Sequence, residues 1–188
     1  MSDSYIVEHC SPTLAGIKTG NLFSIRRCPG QDINEELRAL NRRIRKLGLR
    51  AIPVRYRTTY TLVYLYRPDY LSRDLKNPKV SGILKLKGYP CRNEKLCVAH
   101  LAKHLTESED FPHEIGLFLS YPPSDVWHFM TNPKSGLLCS GCWKVYSNKE
   151  KAEKTFTRFK ECTESYRRRI KNGATLESLI VQRERKVK

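Results

Sequence analysis

The sequence predicts an α+β fold: one domain in which amphipathic helices pack on a small mixed or antiparallel sheet of about four to five strands. Three observations predict it. Ile33, Leu37, Leu40, Ile44 and Leu47 recur at steps of four and three, which sets them on one helical face. Two neighbouring runs, 51–57 and 59–66, are rich in β-branched and aromatic residues and are separated by a gap too short for anything but a hairpin. A second helical stripe, Ala152, Phe156, Phe159, Thr163, Tyr166 and Ile170, runs late in the chain. The length, 188 residues, suits a single domain, expected over 1–181 with a charged tail at 182–188.

The elements follow in order. In the segment His9-Cys10-Ser11-Pro12-Thr13-Leu14-Ala15-Gly16-Ile17-Lys18, Pro12 fits the first turn of a short helix. A strand is expected at 21–25. The helix over 32–47 turns Arg38, Asn41, Arg42 and Arg45 mostly to solvent and ends at Gly48. The strand at 59–66 is apolar on both faces, which places it centrally in the sheet. Helical stretches at 69–75, 79–87 and 93–105 are separated by proline and glycine breaks. Residues 115–121 read as a buried strand, and Pro122-Pro123 then opens a short helix through Met130. A short strand is expected at 142–146. Ser147 and Glu150 have the spacing of a capping box at the start of the last long helix, which Asn172-Gly173 ends. A short helix over 176–181 follows.

Composition bounds the function classes. With 35 Lys and Arg against 19 Asp and Glu, the formal net charge is +16, which attracts polyanions, nucleic acid among them. Tyr56, Tyr60, Tyr64 and Tyr66 lie near Arg55 and Arg57, an arrangement compatible with base stacking. No helix-turn-helix, zinc-finger or RRM signature accompanies the charge. There is no P-loop, no G-x-G-x-x-G and no G-x-S-x-G. No run approaches the roughly 18 apolar residues of a membrane span. The first residues do not have the pattern of a secretory signal, so the seven cysteines read as thiols of a reducing, cytoplasmic compartment.

Several residue groups can carry chemistry. Cys10, if it stands just before a helix N-terminus, has a dipole that favours its thiolate; as a nucleophile it would need His113 as base and Lys18 as anion or oxyanion stabiliser. The plainer reading makes Cys10 a small buried residue, His9 a surface residue and His113-Glu114 a structural pair at a sheet edge. Cys139-Ser140-Gly141-Cys142 is one half of a zinc, iron or redox site, which Cys162, Cys10 or a histidine would have to complete; incidental thiols are the alternative. Cys97, His100 and His104 share a helix face, either as an exposed polar stripe or as metal ligands without a carboxylate partner.

Four segments, HCSPTLAGIKTGNLF (9–23), FPHEIGLFLSYPPSDVWHF (111–129), WKVY (143–146) and FKEC (159–162), resemble an uncharacterised bacterial domain family of unknown function. The resemblance spans nearly the whole chain, implies a single domain and brings no activity with it. It directs attention to His9, Cys10, Lys18, His113, Glu114, Trp143, Lys144 and Cys162.

Overall fold

The computed structural model describes residues 1–108 and 110–182. In chain order it contains α1 (Asp3–Leu14), β1 (Gly20–Arg26), α2 (Ile33–Ile44), β2 (Arg50–Tyr56), β3 (Tyr60–Tyr66), α3 (Pro68–Leu75), α4 (Pro78–Leu86) and α5 (Glu94–Glu107). Then come α6 (Ile115–Phe118), α7 (Pro123–Thr131), β4 (Cys139–Ser140), β5 (Lys144–Val145) and α8 (Lys149–Lys171). Short 3-10 turns occupy Arg45–Leu47 and Glu177–Leu179. The arrangement is α+β, and no helix among the described residues is long and apolar enough to cross a membrane. Most of the charged tail expected at 182–188, residues 183–188, lies outside the described residues.

The main sheet is antiparallel with strand order β1-β3-β2, so β3 is central, as its two apolar faces require. Val63 and Leu65 point into a core shared with Phe23, Ile25, Ala51 and the apolar stripes of α1, α2 and α8. Leu62, Tyr64 and Tyr66 point the other way, into a second core built with α3 to α7. Period-two alternation along one strand therefore serves two helical layers. The Tyr64 hydroxyl, fully buried, donates to the Phe118 carbonyl at 2.7 Å and so finds its partner across the second core.

Four expectations need correction. The main sheet has three strands; β4 and β5 form a separate two-stranded ribbon, so the five strands are divided between two sheets. Residues 115–121 are not a strand: Ile115–Phe118 is a helical turn, buried on every side, and an apolar run buried all round carries no period to read. The first helix starts at Asp3, capped by the Ser2 side chain, and Pro12 stands in its last turn. Cys10 is thus in the body of α1 and not ahead of a helix N-terminus. Asn148, one residue after the expected Ser147, caps α8 by accepting from the Lys151 N–H at 2.9 Å.

Polar side chains fasten the layers. Asn41, expected toward solvent, donates to the Leu37 and Ala51 carbonyls and accepts from the Ala51 N–H at 2.9 Å, stitching α2 to β2. The Arg67 guanidinium is buried. It donates to the carbonyls of Thr13 at 2.7 Å and Leu14 at 2.6 Å, at the end of α1, and of Val181 at 2.8 Å. The Val181 N–H in turn donates to Leu14 at 3.0 Å. Arg67 thus satisfies carbonyls that the end of a helix leaves open.

Candidate functional site

Gly16 follows α1 with φ +70°, a left-handed conformation open to glycine, and Tyr70 and Arg67 crowd the place a side chain would occupy. This turn reverses the chain and delivers Lys18 to the floor of a cavity of about 820 Å³. Lys18 is only 7% exposed. Its Nζ lies 5.5 Å from the Tyr121 ring centre and 5.6 Å from that of Phe159. Among the described residues it makes no ion pair and no hydrogen bond. Burial lowers its pKa to about 8, and the neighbouring thiols of Cys142 and Cys10 oppose that shift.

The walls are cationic. Arg73, Lys79, Lys151 and Arg158 join Lys18, against two carboxylates, Asp74 and Asp125. Both carboxylates are occupied. Asp74 accepts from the Thr19 hydroxyl and from Arg73. Asp125, 2% exposed, accepts from the Trp143 indole N–H at 2.8 Å and from the Tyr146 and Ser147 N–H groups at 3.0 and 2.8 Å. The capping residues of α4, α7 and α8, namely Asn77, Pro122 and Asn148, all line the cavity, so the positive ends of three helix dipoles border the same space. Among the described residues, Ser120 is the non-glycine residue with positive φ, +61°, and its hydroxyl accepts from the Thr19 N–H at 2.8 Å. Backbone strain of this kind is characteristic of built sites.

Tyr121, Asp125 and Trp143 also line a second space, an apolar slot of about 300 Å³. Phe111, Ile115, Leu119, Val126 and Phe129 supply its apolar surface. Lys144 Nζ lies 5.0 Å from the Phe129 ring centre, and His113 meets that ring edge-on at 4.7 Å. The shared wall is fixed by packing: Trp143 lies against Tyr121 at 5.0 Å and edge-on to Phe156 at 4.6 Å. Gly141 is required here, because a Cβ would sit 2.4 Å from the Phe156 ring.

The sequence-predicted residues are thus partly gathered and partly dispersed. Lys18, Trp143, Lys144 and His113 surround the two adjoining spaces. Cys10 is fully buried in the core on the α1 side of the sheet, and burial raises its thiol pKa far above the usual range. Exposed His113 stands at the slot, outside that core. His9 is exposed and stacks on Phe23. Glu114 is not in a strand with His113: it is buried, and it accepts from the Tyr89 hydroxyl at 3.0 Å and faces His104 Nδ1 at 3.3 Å.

That contact revises the α5 stripe as well. Cys97 is buried, and His100 and His104 pack on each other and on Tyr89 at ring-centre distances of 4.4, 4.5 and 5.2 Å. Burial and the adjacent His104 lower the His100 pKa. The stripe faces Tyr89 and Glu114 rather than open solvent. Cys139 and Cys142 lie at the β4–β5 turn, Cys142 exposed, and half-buried Cys162 is on α8. Among the described residues, no group of three or more His, Cys, Asp or Glu is placed to hold a metal ion.

Sequence reasoning missed Ser120, Tyr121, Asp125, Lys151 and Arg158 as site residues. The available signal was the Tyr-Pro-Pro-Ser-Asp run, whose prolines open a helix directly at the cavity. No curated protein and no solved structure matches this chain. The four motifs that carry the resemblance lie within residues 6–180, which match the family described as "Protein of unknown function (DUF3793)", and the chain belongs to that family.

Proposed function

We propose that the protein binds a small anion, a phosphorylated or carboxylated metabolite, in the cavity around Lys18. The observation that carries this reading is Lys18 itself: an amine nine-tenths buried, without a carboxylate partner, at the floor of a large cavity. A buried ammonium with no counter-charge is costly, and an anionic ligand removes the cost. The three helix starts and the four surrounding cations act in the same direction. A thiol nucleophile is the weaker reading, because Cys10 is sealed in the core.

Titration calorimetry with inorganic pyrophosphate in 0.15 M salt tests the proposal. Saturable one-to-one binding is expected, weakened at least tenfold in Lys18→Met. Affinity is also expected to fall above pH 8, as Lys18 loses its proton. The net charge of +16 offers a different explanation for anion binding, attraction of a polyanion to the basic surface. Binding that Lys18→Met leaves unchanged would assign it to that surface and end the cavity reading.

A further inference from the structure

The large cavity and the slot adjoin, with Tyr121, Asp125 and Trp143 lining both. On one side stand Lys18 and the helix starts. On the other the surface is mostly carbon, with Phe111, Ile115, Leu119 and Phe129, while Lys144 and His113 stand beside Phe129 and the Asp125 carboxylate is taken up by the Trp143, Tyr146 and Ser147 N–H groups. A polar cavity and an apolar slot set side by side match a ligand that is itself divided. We propose that the ligand is an amphiphilic anion: its charged group sits at Lys18, and an apolar chain or ring passes beside Tyr121, Asp125 and Trp143, the residues common to both spaces, into the slot. This deepens the anion-binding reading and rests on it.

The slot sets the size of the apolar part. Its volume of about 300 Å³ bounds the apolar part to a short chain or a ring, and the carbons that reach it from Lys18 add to that length. That points to a short-chain or aryl anion free in solution and not to the tails of a bilayer lipid. Lys144 adds a cation beside the slot, and its aliphatic stem completes the apolar lining.

The chain contains two tryptophans, and the other, Trp127, is 44% exposed. Trp127→Phe therefore leaves Trp143, in the shared wall, as the one indole and a direct fluorescent reporter. In that background, inorganic phosphate and a series of alkyl phosphates from ethyl to dodecyl, each below its micelle concentration, are titrated at one pH and salt. Octyl phosphate is expected to bind at least tenfold more tightly than inorganic phosphate. The gain should rise with chain length and level off once the slot is full. Phe129→Glu, a change at a half-exposed position that sets a carboxylate in the slot, is expected to abolish the gain and leave phosphate binding in place.

If octyl phosphate binds no better than inorganic phosphate, the amphiphile is refuted and the anion site stands. A gain that survives in folded Phe129→Glu places the chain outside the slot and also refutes it. Should Phe129→Glu not fold, by circular dichroism, the chain-length series decides: a gain that continues through dodecyl phosphate without levelling marks non-specific adsorption and refutes the proposal. If octyl phosphate leaves Trp143 unperturbed while calorimetry shows phosphate bound, the amphiphile falls alone; if calorimetry shows neither bound, the anion reading falls with it.

Discussion

At the scale of the residue, Lys18 dominates. Its pKa falls from 10.5 in the unfolded chain to about 8 in the folded protein. Below pH 8 the folded state must hold a buried ammonium. Between pH 8 and 10.5 the unfolded chain keeps a proton that the folded protein has released, so this group makes stability rise with pH across that window. The difference is about 3 kcal/mol. Lys18→Met is therefore expected to be more stable than the natural protein by up to about 3 kcal/mol at pH 7 and by little at pH 10.5. Urea unfolding of both proteins at both pH values measures this, and the comparison cancels the titration of every other group. Thiol reactivity provides a second check at the same scale. Iodoacetamide is expected to modify exposed Cys28 and Cys142 first and to leave Cys10 untouched in the native state. Peptide mapping that finds Cys10 alkylated early would show that the α1 core opens readily. Cys10 was legible as a family-like position, and its burial was the plainer of the two readings the sequence left open. Its neighbours Glu8 and His9 are polar, and only the position of the helix start decides which side of α1 it takes.

At the scale of the element, the wall between the two spaces depends on Asp125. Three N–H groups converge on its carboxylate, all from the β4–β5 ribbon and the residues just after it. Asp125→Asn keeps the shape but turns an amide NH₂ or a weaker acceptor toward donors. It is expected to cost about 2–3 kcal/mol, the scale of losing hydrogen bonds to a buried charged group. In the Trp127→Phe background the Trp143 emission should shift to the red as the indole loses its partner and meets water. Unchanged emission would mean that stacking on Tyr121 and Phe156 alone holds the ring. The same reasoning explains what could be read in advance. Proline starts and glycine ends are local signals, so α2, α4, α5 and α7 were placed within a few residues of their observed bounds. Ile115–Phe118 was misread because a helical turn buried on all sides and a buried strand share one composition.

At the scale of the whole molecule, β3 belongs to both cores, through Val63 and Leu65 on one face and Leu62, Tyr64 and Tyr66 on the other. Neither helical layer has a core without it. Unfolding is expected to be one cooperative event, with near- and far-ultraviolet circular dichroism giving coincident transitions in urea. Two separated transitions would show that the layers are independent. The central position of β3 was legible from its two apolar faces, a property of one segment. The cavity was not, because its lining runs from Gly16 to Arg158 and no local pattern joins those residues.

The hydrogen bond from the Thr19 N–H to the Ser120 hydroxyl spans 101 residues of sequence. It ties the loop that carries Lys18 to the turn that carries Tyr121. Contacts so distant in the chain close late in folding, since the loop entropy between them is lost before they give any return. The Lys18 cavity therefore exists only once these two distant stretches of chain have met. An anion held there would act as a rivet across that span and raise the midpoint of the single cooperative transition.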